Sequence, residues 1–269
     1  MSQVFVVPSN QAGVSASAEY AVLGFRSIIP GATVTGADED QDHPFSFCTD
    51  FQDDTQYSPN TTSGTINIEI RRASVEPVNY IGIAIHNAFD AGLTGSLSYW
   101  DGIQWIELTS FGSVKNNFPL TLPFDEVLAQ RFQLTLTITA KLYIGSIYIG
   151  EAIRFPKTPS LGLQPPKFNR LDEVKSFQTF GNNFTRSRKI VRNNQAKGSF
   201  NFYLFSELEQ WWLEYLDHIY DSKPVYFRWS SIQNDPIYGR QNINTPPRID
   251  YVNSFNARLD FEFNGYADR

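Results

Sequence analysis

Leu97-Ser-Tyr-Trp-Asp-Gly-Ile-Gln-Trp-Ile-Glu-Leu108 places two short strand-like runs on either side of Asp101-Gly102. Asp-Gly tolerates the positive φ angles of a type I′ turn, so the stretch predicts a tight β-hairpin. Working outward from it, the same two-residue period recurs. Ile66, Ile68 and Ile70 alternate with Asn67, Glu69 and Arg71, and Ile81, Ile83 and Ile85 are separated by the small residues Gly82 and Ala84. Phe132, Leu134, Leu136 and Ile138 alternate with Gln133 and three threonines, and Leu142–Ile149 closes the series. At least five strands and no convincing helix predict an antiparallel, jelly-roll-like β-sandwich over residues 1–155. The small residues of 13–24 suit either a part of that sandwich or an arm reaching a neighbour.

The stretch from Phe155 to Lys167 carries four prolines and a glycine. Such a segment resists both helix and sheet ladder, so residues 156–168 read as a connector. Beyond it, residues 169–269 predict a smaller β domain with one packed helix. Arg186-Ser-Arg-Lys-Ile-Val-Arg192 leads into the aromatic strand Ser199–Phe205. Ser206-Glu-Leu-Glu209 is a capping-box pattern. Behind it Leu208, Trp211, Trp212, Tyr215, Leu216 and Ile219 recur at helical spacing, giving a helix over 207–220 that Asp221-Ser-Lys-Pro224 stops. Strand patterns return at Val225–Trp229 and Arg258–Asn264.

Charge is divided between the halves. Residues 1–155 hold seven Lys and Arg against 16 Asp and Glu, a net of −9, and residues 156–269 hold 15 against 12, a net of +3. This suggests either two domains facing different partners or complementarity between copies. A net charge of −6 over 269 residues argues against non-specific nucleic-acid binding. One cysteine, Cys48, excludes a disulfide framework or a multi-cysteine cluster, and with three histidines no structural His/Cys metal site or cofactor is expected. The opening residues have no basic n-region and no signal-length apolar run, and no stretch reaches spanning length. The expectation is synthesis in a cytoplasm without membrane insertion, any action outside a cell following lysis or assembly into a particle. The sequons at Asn60 and Asn183 then carry little weight.

Candidate chemistry is sparse. No G-x-S-x-G, H-E-x-x-H or phosphate-cradling loop occurs, which favours a non-enzyme. The acidic stretch 36–54, with seven carboxylates, reads either as a calcium loop or as a solvated loop over Phe45, Phe47 and Phe51. Cys48, near His43, is expected to be a buried small residue rather than a nucleophile. His218 is expected to be partly exposed near a helix C-terminus that tolerates its charge. Trp100 and Trp105 flank the hairpin, where an exposed tryptophan stacks on a sugar ring or anchors a partner. Trp105 is assigned to the core. Asn87, Trp100 and Gln104 are the candidate sugar or partner contacts. Arg186, Arg188, Lys189 and Arg192 are the candidate interface, the plainer reading being a solvated strand edge.

Three segments carry a family resemblance: Val78-Asn-Tyr-Ile-Gly-Ile-Ala-Ile-His-Asn87, Gly95-Ser-Leu-Ser-Tyr-Trp-Asp-Gly-Ile-Gln-Trp105 and Ile144-Gly-Ser-Ile-Tyr-Ile-Gly-Glu151. Together they resemble a galactose-binding-like sandwich, in the version found in tail proteins of bacterial viruses. Phe180-Gly-Asn-Asn-Phe184, the Trp211-Trp212 helix and Lys223-Pro-Val-Tyr-Phe-Arg-Trp229 are similar to phage tail-tip proteins. The resemblance implies a virion structural subunit of the distal-tail or minor-tail kind. It would form an oligomeric ring in the tail tip or baseplate, between the tail tube and the host-recognition proteins. Ring closure needs a heterologous interface. The alternative is a carbohydrate-binding module acting on host surface sugars, since fold alone does not settle function. A glycan-cleaving enzyme using paired carboxylates stands third.

Overall fold

The computed structural model describes residues 20–155, 170–178, 184–203, 208–230, 236–242, 244–251 and 256–266. The connector 156–168 and Ser206 of the capping box lie outside these residues. In chain order the elements are β1 Ala21–Gly24, β2 Thr33–Thr35, a 3₁₀ turn Phe45–Cys48, β3 Gly64–His86, β4 Thr94–Trp100, β5 Trp105–Phe111, β6 Leu120–Ile138, β7 Ile144–Gly150 and β8 Ala152–Phe155. There follow β9 Arg170–Gln178, β10 Phe184–Tyr203, α1 Leu208–Tyr220, β11 Val225–Arg228, β12 Ile237–Gln241, β13 Arg248–Tyr251 and β14 Asn256–Tyr266.

The strands form two antiparallel sheets. The first runs β2-β3-β6-β4-β5, with β7 on the other side of β3. Its central strands are long, 23 residues for β3 and 19 for β6. Laid flat, β3 alone would extend about 75 Å. Instead the pairing breaks register between Arg71 and Glu76 and again between Val78 and Tyr80, dividing the sheet into two arms. Ile66, Ile68, Ile70, Leu134 and Leu136 of one arm share a hydrophobic core with Ile81, Ile83, Leu120, Ile147 and Ile149 of the other. Phe45, Cys48 and Tyr57, from the segment before β3, join the same core.

The second sheet runs β8-β1-β11-β12-β14-β10-β9, with β13 also on β14. It draws on both halves of the chain: β1 lies between β8 and β11, with Val22 opposite Arg154 on one side and Arg228 on the other. One face carries α1, whose Trp211, Tyr215 and Ile219 pack on Leu23, Phe155, Phe227, Phe261 and Phe263. Leu208–Tyr220 agrees with the predicted helix, and Ser222 ends it with a φ of 57°. The Ser222 N–H donates to Ile219 O and Lys223 N–H to His218 O, the paired bonds of a Schellman stop.

The opposite face of the second sheet meets the β3–β7 arm. Val22, Tyr226 and Tyr238 pack there on Tyr80, Ala84 and Tyr148. This explains the small residues between the isoleucines. A Cβ on Gly82 would stand 2.7 Å from the Tyr226 ring, so the glycine admits the tyrosine. Strand β7 is accordingly buried along its whole length, rather than half-buried as its alternation alone suggests. Ile85 departs from its predicted face: with φ 53° it leaves the ladder between Ala84 and His86 and packs near the tyrosines. A Cβ on Gly145 would come within 2.9 Å of the Ile85 Cβ.

Ion pairs also link the halves. Arg26 binds both Glu151 and Glu214, and Arg240 reaches Asp53 at 3.1 Å. Only Arg240–Asp53 of these joins a base of the second half to an acid of the first; Arg26–Glu214 runs the other way and Arg26–Glu151 lies within the first half. Among the described residues, no helix is long and apolar enough to cross a membrane.

Candidate functional site

The arm formed by β2, the first part of β3, the second part of β6, β4 and β5 has one face in the core, with Ile66, Ile68, Ile70, Phe132, Leu134 and Leu136, and its other face towards solvent. Period-2 alternation places polar residues on that outer face, and register decides which stand side by side. Arg71 lies opposite Arg131, Glu69 opposite Gln133, and Asn67 opposite Thr135. On β4, Ser98 lies opposite Gln133 and Ser96 opposite Thr135, while Glu107 of β5 faces Ser98. Trp100 and Trp105 are directly paired at the end of the hairpin. One row thus reads Arg71, Arg131, Trp100, Trp105, and the next Glu69, Gln133, Ser98, Glu107.

The tryptophan rings meet edge-on at 5.4 Å between centroids, and both are half-buried. The Arg131 guanidinium lies over both, 5.1 Å from Trp100 and 5.5 Å from Trp105. Its Nε donates to Glu69 Oε1 at 2.9 Å, which fixes the cation from the far side. Cation–π contacts of this partly exposed kind contribute about 0.5–1 kcal/mol each, so their main effect is to hold the ring pair in one orientation. Below this row Thr135 Oγ1 donates to Asn67 Oδ1, and Thr65 and Thr137 bond through their hydroxyls, both at 2.9 Å. The result is a flat polar surface with an aromatic corner. It offers ring faces, amides, hydroxyls and carboxylates to a polyhydroxylated ligand.

The hairpin itself is as expected, but its turn is not a two-residue type I′. Trp100 and Trp105 close a four-residue loop in which Gly102 has φ 106°. Asp101 Oδ1 accepts from the N–H groups of Ile103 and Gln104 at 2.7 and 2.8 Å. These bonds hold the Asp101 carboxyl below its usual pKa. Trp105 is not a core residue: Tyr99 and Leu108 take the inward positions, leaving Trp105 on the outer face beside Trp100.

The three predicted contact residues separate. Gln104 is exposed at the hairpin tip next to Trp105. Asn87 is engaged elsewhere: its Nδ2 donates to Lys141 O at 2.9 Å and its Oδ1 accepts from Tyr143 N–H at 2.8 Å. Seven strand steps separate Arg131, beside the tryptophans, from Ile138, just before that turn, roughly 20 Å or more. Arg186, Arg188, Lys189 and Arg192 lie on β10 where it pairs with β9; β14 pairs β10 only over Asn193–Tyr203, so among the described residues this run has a strand neighbour on one side alone. The residues that complete the outer face, Arg131, Glu69, Gln133, Ser98 and Glu107, were visible only as the polar members of alternating strands.

The acidic stretch is organised by local bonds. Asp40 Oδ1 accepts from Asp42 N–H, Asp50 accepts from Gln52 N–H and Thr55 Oγ1, and Lys141 lies 3.3 Å from Asp40. A cleft of about 510 Å³ beside it is lined by Ile29, Val34, Asp38, Glu39 and Phe45. Its two carboxylates already accept from Thr61 and Phe45 N–H groups. Among the described residues, no group of three His, Cys, Asp or Glu side chains is placed to hold a metal.

Cys48 is buried, its thiol donates to Phe45 O, and burial pushes its pKa well up, away from nucleophilic chemistry. His218 is partly exposed in the last turn of α1, as expected, but burial, chiefly, lowers its pKa to about 4, so the charge expected there is not favoured near pH 7. Its Nε2 donates to Pro224 O at 2.9 Å, and Phe25 packs edge-on against the ring. Burial likewise lowers His86 to about 4. Glu126 and Glu151 stand close enough that, after burial, the charge of Glu151 raises Glu126. Glu151 is gripped by Arg26, however, which is the environment of a structural ion pair.

No protein-family model and no curated protein matches the chain. Solved structures share a partial likeness. SpGH29 is 17% identical with a TM-score of 0.40 over 48% of this chain, which spans 28% of its length. A family 32 carbohydrate-binding module from a family 31 glycoside hydrolase of Clostridium perfringens is 11% identical, TM-score 0.40, over 47% of this chain and 99% of that one. A second such module from that organism, in complex with GalNAc-β-1,3-galactose, is 14% identical, TM-score 0.39, over 47% of this chain and all of the other. Likeness at this level carries no argument about the function of this chain.

Proposed function

We propose that the chain is a non-catalytic carbohydrate-binding module that recognises surface polysaccharide through the outer face of its sandwich. The observation that carries this reading is the Trp100–Trp105 pair, half-exposed and held by Arg131 at the corner of a polar sheet face. Ring faces stack on the apolar faces of sugars, while neighbouring amides and hydroxyls take the sugar hydroxyls. Gln133, Ser98, Glu107 and Gln104 supply those polar partners.

Titration of a panel of bacterial surface polysaccharides, followed by tryptophan fluorescence and calorimetry, tests the reading. Binding that disappears in Trp100→Ala and Trp105→Ala while the fold is retained supports it. Wild-type protein that binds no polysaccharide in the panel removes it.

A second reading is a structural subunit of a phage tail tip, assembled into the virion after cytoplasmic synthesis. One observation favours it. Strand β9 ends the second sheet, and β14 pairs β10 only over Asn193–Tyr203, beyond the basic run Arg186–Arg192. An end strand beside a basic run suits heterologous docking of another tail protein or a second copy. Light scattering with negative-stain microscopy separates the two: closed rings favour the adaptor, and a monomer that binds glycan favours the module.

A further inference from the structure

On the row that ends in the tryptophans, Arg71 and Arg131 stand directly opposite each other on β3 and β6. Like charges in that position repel. One carboxylate, Glu69, serves Arg131. Arg72, next in sequence, is already paired with Glu76 at 3.3 Å. Arg71 is exposed and forms no ion pair among the described residues. Glu107, the other acid of this face, lies two strands beyond Gln133, about 10 Å across the sheet. Arg131 is thus taken up by Glu69 and the rings, and the positive charge left without an acidic partner among the described residues is that of Arg71 on β3, about 10 Å across two strand spacings from Trp100 on β4. That separation matches two linked sugar units.

We propose that this face selects an acidic glycan: one ring lies on Trp100 and Trp105, and the carboxylate of an adjoining uronic acid unit lodges against Arg71. The inference rests on the carbohydrate-binding reading above and names the substrate class of the same face. A planar guanidinium takes a carboxylate through two parallel N–H···O bonds. An anion there also relieves the repulsion between Arg71 and Arg131, a gain that a neutral sugar does not bring. The polar row Glu69, Gln133, Ser98 then lies beneath the linkage between the two units.

The experiment compares tetragalacturonic acid with its fully methyl-esterified form, which keeps the sugar rings and removes the charge. Each is titrated calorimetrically into wild type, Arg71→Met and Trp100→Ala, first at about 0.01 M NaCl and then at about 0.5 M, which shortens the Debye length from about 30 Å to about 4 Å. Wild type is expected to bind the acid about tenfold or more tightly than the ester. Arg71→Met is expected to bind the two alike, high salt to erase the preference in wild type, and Trp100→Ala to lose both ligands. Arg71 is exposed, so the methionine variant keeps the fold, which circular dichroism confirms. Equal binding of acid and ester by wild type, or a preference that survives in Arg71→Met, overturns the acidic selectivity while the glycan face stands. Failure of wild type to bind either of these ligands overturns the acidic selectivity, and failure across the wider polysaccharide panel removes the carbohydrate reading itself.

Discussion

Two aromatic clusters in this molecule use the same kinds of side chain to opposite ends. Between the sheets, Tyr80, Tyr148, Tyr226 and Tyr238 are fully buried. The Tyr80 hydroxyl donates to Arg26 O, Tyr148 to Pro224 O, and Tyr226 bonds Ser146. On the outer face, Trp100 and Trp105 touch a cation and each other and remain half-exposed. The first cluster binds the two halves of the chain together, with its polar atoms engaged internally. The second leaves ring faces and polar neighbours in contact with solvent, which is the arrangement recognition needs.

Removing an anchor from each cluster breaks the comparison most sharply. Tyr226→Ala is expected to cost about 3–5 kcal/mol, because it empties a closely packed site on two sheets at once. Urea denaturation reads this as a large drop in midpoint. A comparable drop in Trp100→Ala would show that the outer pair is structural and remove the distinction.

Acid acts on the buried side next. His86 and His218 have native pKa values of about 4 against an ordinary value near 6.5. Above about pH 7.5 both are almost wholly neutral whether folded or unfolded, and they contribute little pH dependence. As pH falls from there towards 4, the unfolded chain takes up protons that the folded chain excludes, so stability declines. For His86, which is nine-tenths buried, the loss approaches about 3 kcal/mol at its largest. Denaturation midpoints at pH 7 and pH 4.5 measure the loss, and His86→Asn should flatten part of the slope.

Smaller effects sharpen the contrast. Gly82→Val is expected to destabilise by about 1–3 kcal/mol, since its side chain would meet the Tyr226 ring. Trp100→Ala is expected to change stability by about 1 kcal/mol or less, while removing glycan binding in the fluorescence titration. Together the last two variants ask whether stability and recognition separate between the two clusters.

The alternation of Ile66, Ile68 and Ile70 with Asn67, Glu69 and Arg71 is present in the strand as read, because side-chain direction in a strand depends only on position. The helix at Leu208–Tyr220 was equally legible from its apolar spacing. Misplaced were features that depend on a second element. Trp105 lost its core position because Tyr99 and Leu108 occupy the inward side of that hairpin. Asn87 and Trp100 were grouped as one site, yet β6 separates them along its length. A charge on His218, which its place near the helix C-terminus would favour, is opposed by burial first and then by Lys223.

Local chemistry in the sequence determined the strands, the hairpin between Trp100 and Trp105, the helix and its stop, and the absence of a cysteine framework. Tertiary structure alone decided that β1 and β8 join β11 in one sheet, that Gly82 and Ala84 face tyrosines, and that Arg71, Arg131, Trp100 and Trp105 share a row. The reason is physical. A two-residue period defines the two faces of a strand, but long-range register and the layer that covers each face decide which residues become neighbours and which meet water.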